Sequence, residues 1–161
     1  MTELSPVLLP RTRSCFVCGR LNARGFRAQM TAQGGEVSLP YRPAADDAGY
    51  AGIVHGGLAA TLMDEVMTWA AILATRSVCV AAEITVRFVA PMRVGGAYRV
   101  RGWVSRHGRR LVRAEAAIEE ADGGTVARCE GTYLPRAGPA TLAAADFYDP
   151  LPPGLEWLGG A

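Results

Sequence analysis

The chain has 161 residues, half of them hydrophobic, and a formal net charge of only +2. That length supports one domain with a real core, while no run of about 18 uninterrupted apolar residues exists to span a bilayer. The basic residues are all Arg and are scattered with no long run, so neither a nucleic-acid-binding stripe nor a membrane-surface patch is expected.

Residues 1–24 read as an irregular N-terminal segment ending in Cys15-Phe16-Val17-Cys18-Gly19. No basic start followed by an apolar core marks a signal peptide, so the expected location is cytoplasmic. A single domain is expected over 25–135. Phe26, Ala28 and Met30 alternate with Arg27, Gln29 and Thr31, and Val37, Leu39 and Tyr41 alternate after Gly34-Gly35, which predicts a hairpin. Pro43 and the Asp46-Asp47 loop then lead to a stretch from Leu58 to Leu73 that is apolar or Ala at almost every position.

An apolar coat that wide predicts a buried helix rather than one lying on a surface. Its polar side chains are Thr61, Asp64, Glu65 and Thr68, of which Thr61, Asp64 and Thr68 fall in one row. Glu65 sits about 100° round the axis. A carboxylate on a buried helix either finds partners or opens onto a cavity where a substrate binds. Just before the helix stand His55, Gly56 and Gly57, where the first N–H groups lack internal acceptors and face the positive end of the dipole. Such a place holds an oxyanion. Asp64 lies about two turns, or roughly 10 Å, further along, so a second subunit would have to bring it to the same carbonyl.

Beyond the helix, Val80, Ala82, Ile84, Val86 and Phe88 alternate with Ala81, Glu83, Thr85 and Arg87, and Pro91 closes the strand. Tyr98, Val100 and Val104 form a second strand and Val112, Ala114, Ala116 and Ile118 a third. Asp122-Gly123-Gly124 turns into a fourth, whose Ala127, Cys129 and Gly131 are small enough to let a helix lie close. One long helix followed by hairpin-linked strands predicts an α+β fold with a continuous antiparallel sheet. Residues 136–161 turn to Ala, Pro and Gly, and no more than a brief turn is expected there, with Phe147, Tyr148, Leu155 and Trp157 available to pack back.

Cys15 and Cys18 form one CxxC, but no second pair follows and the two histidines are not spaced as partners, so no metal is expected. Cys79 and Cys129 fall in apolar strand patterns, where a thiol behaves as a small hydrophobe. No organic cofactor is implied.

Taken in order, CFVCG at 15–19, Asn22, Gly25, GIVHGG at 52–57, TLMDE at 61–65 and EITVRF at 83–88 with Pro91 resemble the hot-dog-fold acyl-CoA thioesterases, PaaI-like or 4HBT-type, in the branch with an N-terminal CFxCG segment. The resemblance runs from about Cys15 to Tyr133. It implies a five- to six-stranded antiparallel sheet wrapped round one central helix, a homodimer or a homotetramer built from dimers, and hydrolysis of acyl-CoA at sites between subunits. By that likeness Asp64 is the catalytic carboxylate, the Gly56 or Gly57 N–H is the oxyanion donor, and His55 shapes the loop. Glu65, Ala81, Arg87 and Arg93 are the candidate substrate contacts, since Arg forks suit the phosphates of a nucleotide-bearing ligand. Two departures stand out: Ala81 occupies a position where many relatives carry Thr or Ser, and Gly49 one where some carry Asn or Gln. They open an alternative, a non-catalytic or vestigial acyl-CoA binder. A dehydratase would need a His and an acid converging on a hydroxyacyl group, which His55 followed by Gly-Gly does not resemble.

Overall fold

The computed structural model describes residues 5–136 and 144–160. Nine strands are present among the described residues: β1 (Val7–Leu8), β2 (Thr31–Gln33), β3 (Glu36–Tyr41), β4 (Ala48–Tyr50), β5 (Ile53–Val54), β6 (Cys79–Phe88), β7 (Tyr98–His107), β8 (Val112–Glu120) and β9 (Thr125–Pro135). The one α-helix among the described residues, α1, spans Gly56–Thr75. Seven strands form a single antiparallel sheet in the order β1-β2-β3-β7-β8-β9-β6, with β4 and β5 paired apart from it. The sheet is one or two strands wider than its expected five to six: β1 lies in the stretch read as irregular and pairs with β2 through Val7 opposite Ala32.

α1 lies across one face of this sheet, burying Leu62, Met63, Val66, Met67, Trp69 and Ile72. Each such side chain contributes about 1.5–3 kcal/mol by leaving water. The helix has the length and hydropathy of a membrane span, yet here it is the core of a sheet-wrapped domain. It can settle so deeply because the strands beneath it offer Ala114, Ala116, Ala127 and Gly102. A Cβ on Gly102 would lie 2.8 Å from Val66 Cγ2 and 2.9 Å from the Met67 nitrogen.

Two stretches depart from simple alternation. Phe26–Met30 is not a strand: Arg27 takes a left-handed φ of 52°, and the amides of Phe26 and Ala28 donate to the carbonyls of Phe16 and Val17, tying the segment to the CFVCG turn instead of the sheet. In β6 a bulge between Ala81 and Glu83 reverses the phase. Ala81 pairs with Tyr133, and beyond the bulge Ile84, Val86 and Phe88 pair with Gly131, Cys129 and Ala127. Ala81 therefore shares the helix-facing side with Ile84, Val86 and Phe88, whereas Val80, expected beside them, points outward and is exposed.

The C-terminal segment packs back on the N-terminal one. Phe147 and Leu158 are buried, Phe147 bridges to Thr12, and Arg11 forks onto Asp149 at 2.7 and 3.0 Å.

Candidate active site

Asp64 is partly exposed and accepts a 2.7 Å hydrogen bond on Oδ1 from the hydroxyl of Tyr133. Tyr133 is fully buried on the helix-facing side of β9. Burial first, and then the Asp64 carboxylate beside it, hold its phenol far above the ordinary range, so it remains a proton donor to Asp64 at any working pH. Thr68, one turn further along the helix, also faces that hydroxyl. Thr61, the remaining member of the row, turns back to the Gly57 carbonyl at 2.8 Å.

Tyr133 was missed in the sequence. Its signal is the alternation Ala127, Cys129, Gly131, which carried two residues further puts Tyr133 on the face that receives α1. Ala81 is opposite it across the ladder, so the position without a hydroxyl lies on the side of the sheet where Asp64 is held.

The start of α1 is built by His55. Its backbone N–H donates to the Asp47 carbonyl at 2.9 Å, and its Nδ1 accepts from the Gly57 N–H at 2.9 Å, capping the helix. The ring thus carries its proton on Nε2, with Nδ1 occupied. Gly57 N–H is engaged by that ring, which leaves Gly56 N–H as a donor at the helix start without an acceptor among the described residues. Gly49 presses against His55, where a Cβ would lie 3.0 Å from the His55 Cα.

Gly56 opens onto a cleft of about 600 Å³. Its walls come from the β4–β5 hairpin (Tyr50, Ile53), the helix start (His55, Gly56), the end of β6 with its following loop (Phe88, Met92) and the sheet floor (Ile118, Ala127). The Phe88 ring lies so close over the helix start that a Cβ on Gly56 would meet it at 3.0 Å. Asp64 does not line this cleft. One chain therefore holds the start of α1 beside an apolar cleft and, two turns along the same helix, a carboxylate hydrogen-bonded to Tyr133.

The other predicted contacts are spread out. Arg93 is exposed next to Met92 at the cleft, its backbone bridged to Ile53 and its N–H donating to the Tyr98 hydroxyl at 2.7 Å. Arg87 is exposed on the face of β6 away from the helix, opposite Arg128. Glu65 is not a cleft residue: it accepts from Trp69 Nε1 at 3.2 Å and sits 3.6 Å from Cys15 Sγ. Burial, followed by the charge of Cys15, pushes its carboxyl up to about 7.

A helix cradled in a wide antiparallel sheet, with a His-Gly-Gly start and a mid-helix acid, defines a hot-dog protein. Residues 51–127 match the family model of the thioesterase superfamily. A thioesterase superfamily protein of known crystal structure aligns at 24% identity with a TM-score of 0.70, over 76% of this chain; the chain spans 60% of that protein's length. The Escherichia coli PaaI protein aligns at 20% identity and a TM-score of 0.60 over 66% of this chain and 76% of its own. A Streptococcus mutans protein bound to acetyl CoA aligns at 18% identity and 0.62, over 66% of this chain and 86% of its own. No curated protein matches the sequence.

Proposed function

We propose that the protein hydrolyses acyl-CoA thioesters with apolar acyl groups, at sites shared between two copies of the chain. The observation that carries this reading is the apolar cleft opening at Gly56, whose N–H has no acceptor among the described residues. Its volume suits an acyl group with part of the thiol arm. Acetyl CoA in the Streptococcus mutans relative supports the substrate class.

In this scheme the thioester carbonyl oxygen lies on Gly56 N–H of one copy, whose dipole end stabilises the developing oxyanion. Asp64 of the second copy takes a proton from water as the water oxygen attacks the carbonyl carbon, or attacks that carbon itself to form a transient anhydride. Collapse breaks the C–S bond; in the first route the CoA thiolate leaves with the proton that Asp64 took from water and the acid is released, and in the second the thiolate leaves first and a water then cleaves the anhydride, giving the acid, restoring Asp64 and supplying the thiol proton. The second copy has a place to dock: the outer edge of β6 has no strand partner among the described residues and is ten residues long. Edge-to-edge pairing there gives a homodimer, and dimers stacked on one another give a homotetramer.

Free thiol released from a panel of acyl-CoAs, by the wild type and by Asp64→Asn, tests the scheme. Turnover that falls by several orders of magnitude in the variant is expected, and turnover untouched by the substitution excludes the mechanism. A second reading, a non-catalytic acyl-CoA binder, is favoured by the bare Cβ of Ala81 on the Tyr133 side of β6. It requires thermal stabilisation by acyl-CoA with no hydrolysis of any thioester in the panel.

A further inference from the structure

We propose that Cys15, Cys18 and Glu65 form a binding site for a thiophilic divalent cation of the zinc type, pinning the N-terminal CFVCG turn to the central helix. The expectation of no metal counted only cysteines and histidines, and neither pairing supplies a second half-site. The fold supplies one from elsewhere: Glu65, 50 positions after Cys15, comes off the flank of α1 facing the turn. The two sulfurs and a carboxylate oxygen all lie within 4.8 Å of one another. Cys15 Sγ is 3.6 and 3.7 Å from the two Glu65 oxygens. In a tetrahedral zinc site with Zn–S near 2.3 Å and Zn–O near 2.0 Å, neighbouring ligand atoms are about 3.5–3.8 Å apart, so the cluster needs little contraction.

Three further observations favour a cation. The Val17 amide donates to Cys15 Sγ at 3.3 Å, the kind of supporting hydrogen bond that orients a ligating atom. Glu65 has no cationic side chain beside it among the described residues, its contacts being Trp69 Nε1 and the two cysteines, so three acidic groups share one pocket with nothing positive to balance them. Cys18 is buried while Cys15 is half-buried, which leaves solvent a route to the centre of the cluster. The fourth position falls to water or to the Thr12 hydroxyl, 3.5 Å from Cys18 Sγ. Binding releases the thiol protons to solvent and changes no oxidation state. Asp64 is on another flank of the helix, so this site is separate from the cleft chemistry.

The test is cobalt(II) titration of the reduced, metal-free full-length protein. One equivalent should bind with an intense thiolate-to-metal band in the near ultraviolet and the visible bands of a tetrahedral ion. The Cys15→Ser/Cys18→Ser double variant should abolish the charge-transfer band, and Glu65→Gln should weaken cobalt binding roughly 10- to 100-fold, at least the loss seen when a supporting group is removed. If the cysteine variant does not fold, X-ray absorption of the zinc-loaded wild type decides, with two sulfurs near 2.3 Å and lighter ligands near 2.0 Å expected. The proposal is overturned by reduced protein that binds no cobalt, by a band that persists in the Cys15→Ser/Cys18→Ser double variant and so arises from Cys79 or Cys129, by affinity unchanged in Glu65→Gln, or by zinc held without two sulfurs.

Discussion

Replacing Tyr133 by Phe removes one oxygen from a fully buried ring and with it the 2.7 Å hydrogen bond to Asp64. A hydrogen bond to a charged group contributes about 1.5–3 kcal/mol. Asp64 is partly exposed, so water recovers some of that, and a net loss of about 1–2 kcal/mol is expected. In a domain of this size that lowers Tm by roughly 2–8 °C. The carboxylate also loses the group that fixes its rotamer, so kcat should fall about tenfold or more, which corresponds to about 1.4 kcal/mol of transition-state stabilisation, with KM nearly unchanged. Thermal denaturation and thiol release from acyl-CoA read the two effects separately. In an Asp64→Asn background the same change should add little to the kinetic loss, because the two groups act as one unit. A Tyr133→Phe protein with the wild-type Tm and rate would refute the view that the phenol positions the acid.

Gly102→Ala places a methyl 2.8 Å from Val66 and should lift α1 off the sheet, costing about 1–3 kcal/mol, which a lowered denaturation midpoint would show. Asp149→Asn should cost about 1 kcal/mol or less at neutral pH. Its hydrogen bond from Arg11 depresses the folded carboxyl below its unfolded value, so this contribution is present above that unfolded value, near pH 4. It disappears as pH falls through the depressed one, and denaturation curves of variant and wild type should converge in acid.

The central helix and its two acids were legible because a carboxylate stands out in an apolar run. The hairpins were legible where glycine pairs mark them, Gly34 and Gly35 taking φ of 58° and 86°. The reversal of phase in β6 was not, since a bulge inserts one residue without changing composition: Val80-Ala81-Ala82 reads equally well in either phase. Phe26–Met30 alternated like a strand, but the left-handed turn at Arg27 and the amides tied to the CFVCG turn outweighed the pattern. The site divided along contact range. His55 caps Gly57 two residues away, within reach of local reasoning, whereas Tyr133 meets Asp64 and Cys15 meets Glu65 across separations of 69 and 50 residues that only the fold closes.

The bulge at Ala81 also makes this strand adjustable. Because a single inserted residue decides which side chain of the Val80–Ala82 triplet looks toward the carboxylate, that location accepts new chemistry without redesign of the sheet. A hydroxyl introduced at position 81 would arrive on the inward surface next to Tyr133, ready to hold a water against the acid. A protein that hydrolyses thioesters slowly would thus be one side chain removed from a faster catalyst, with its architecture already in place.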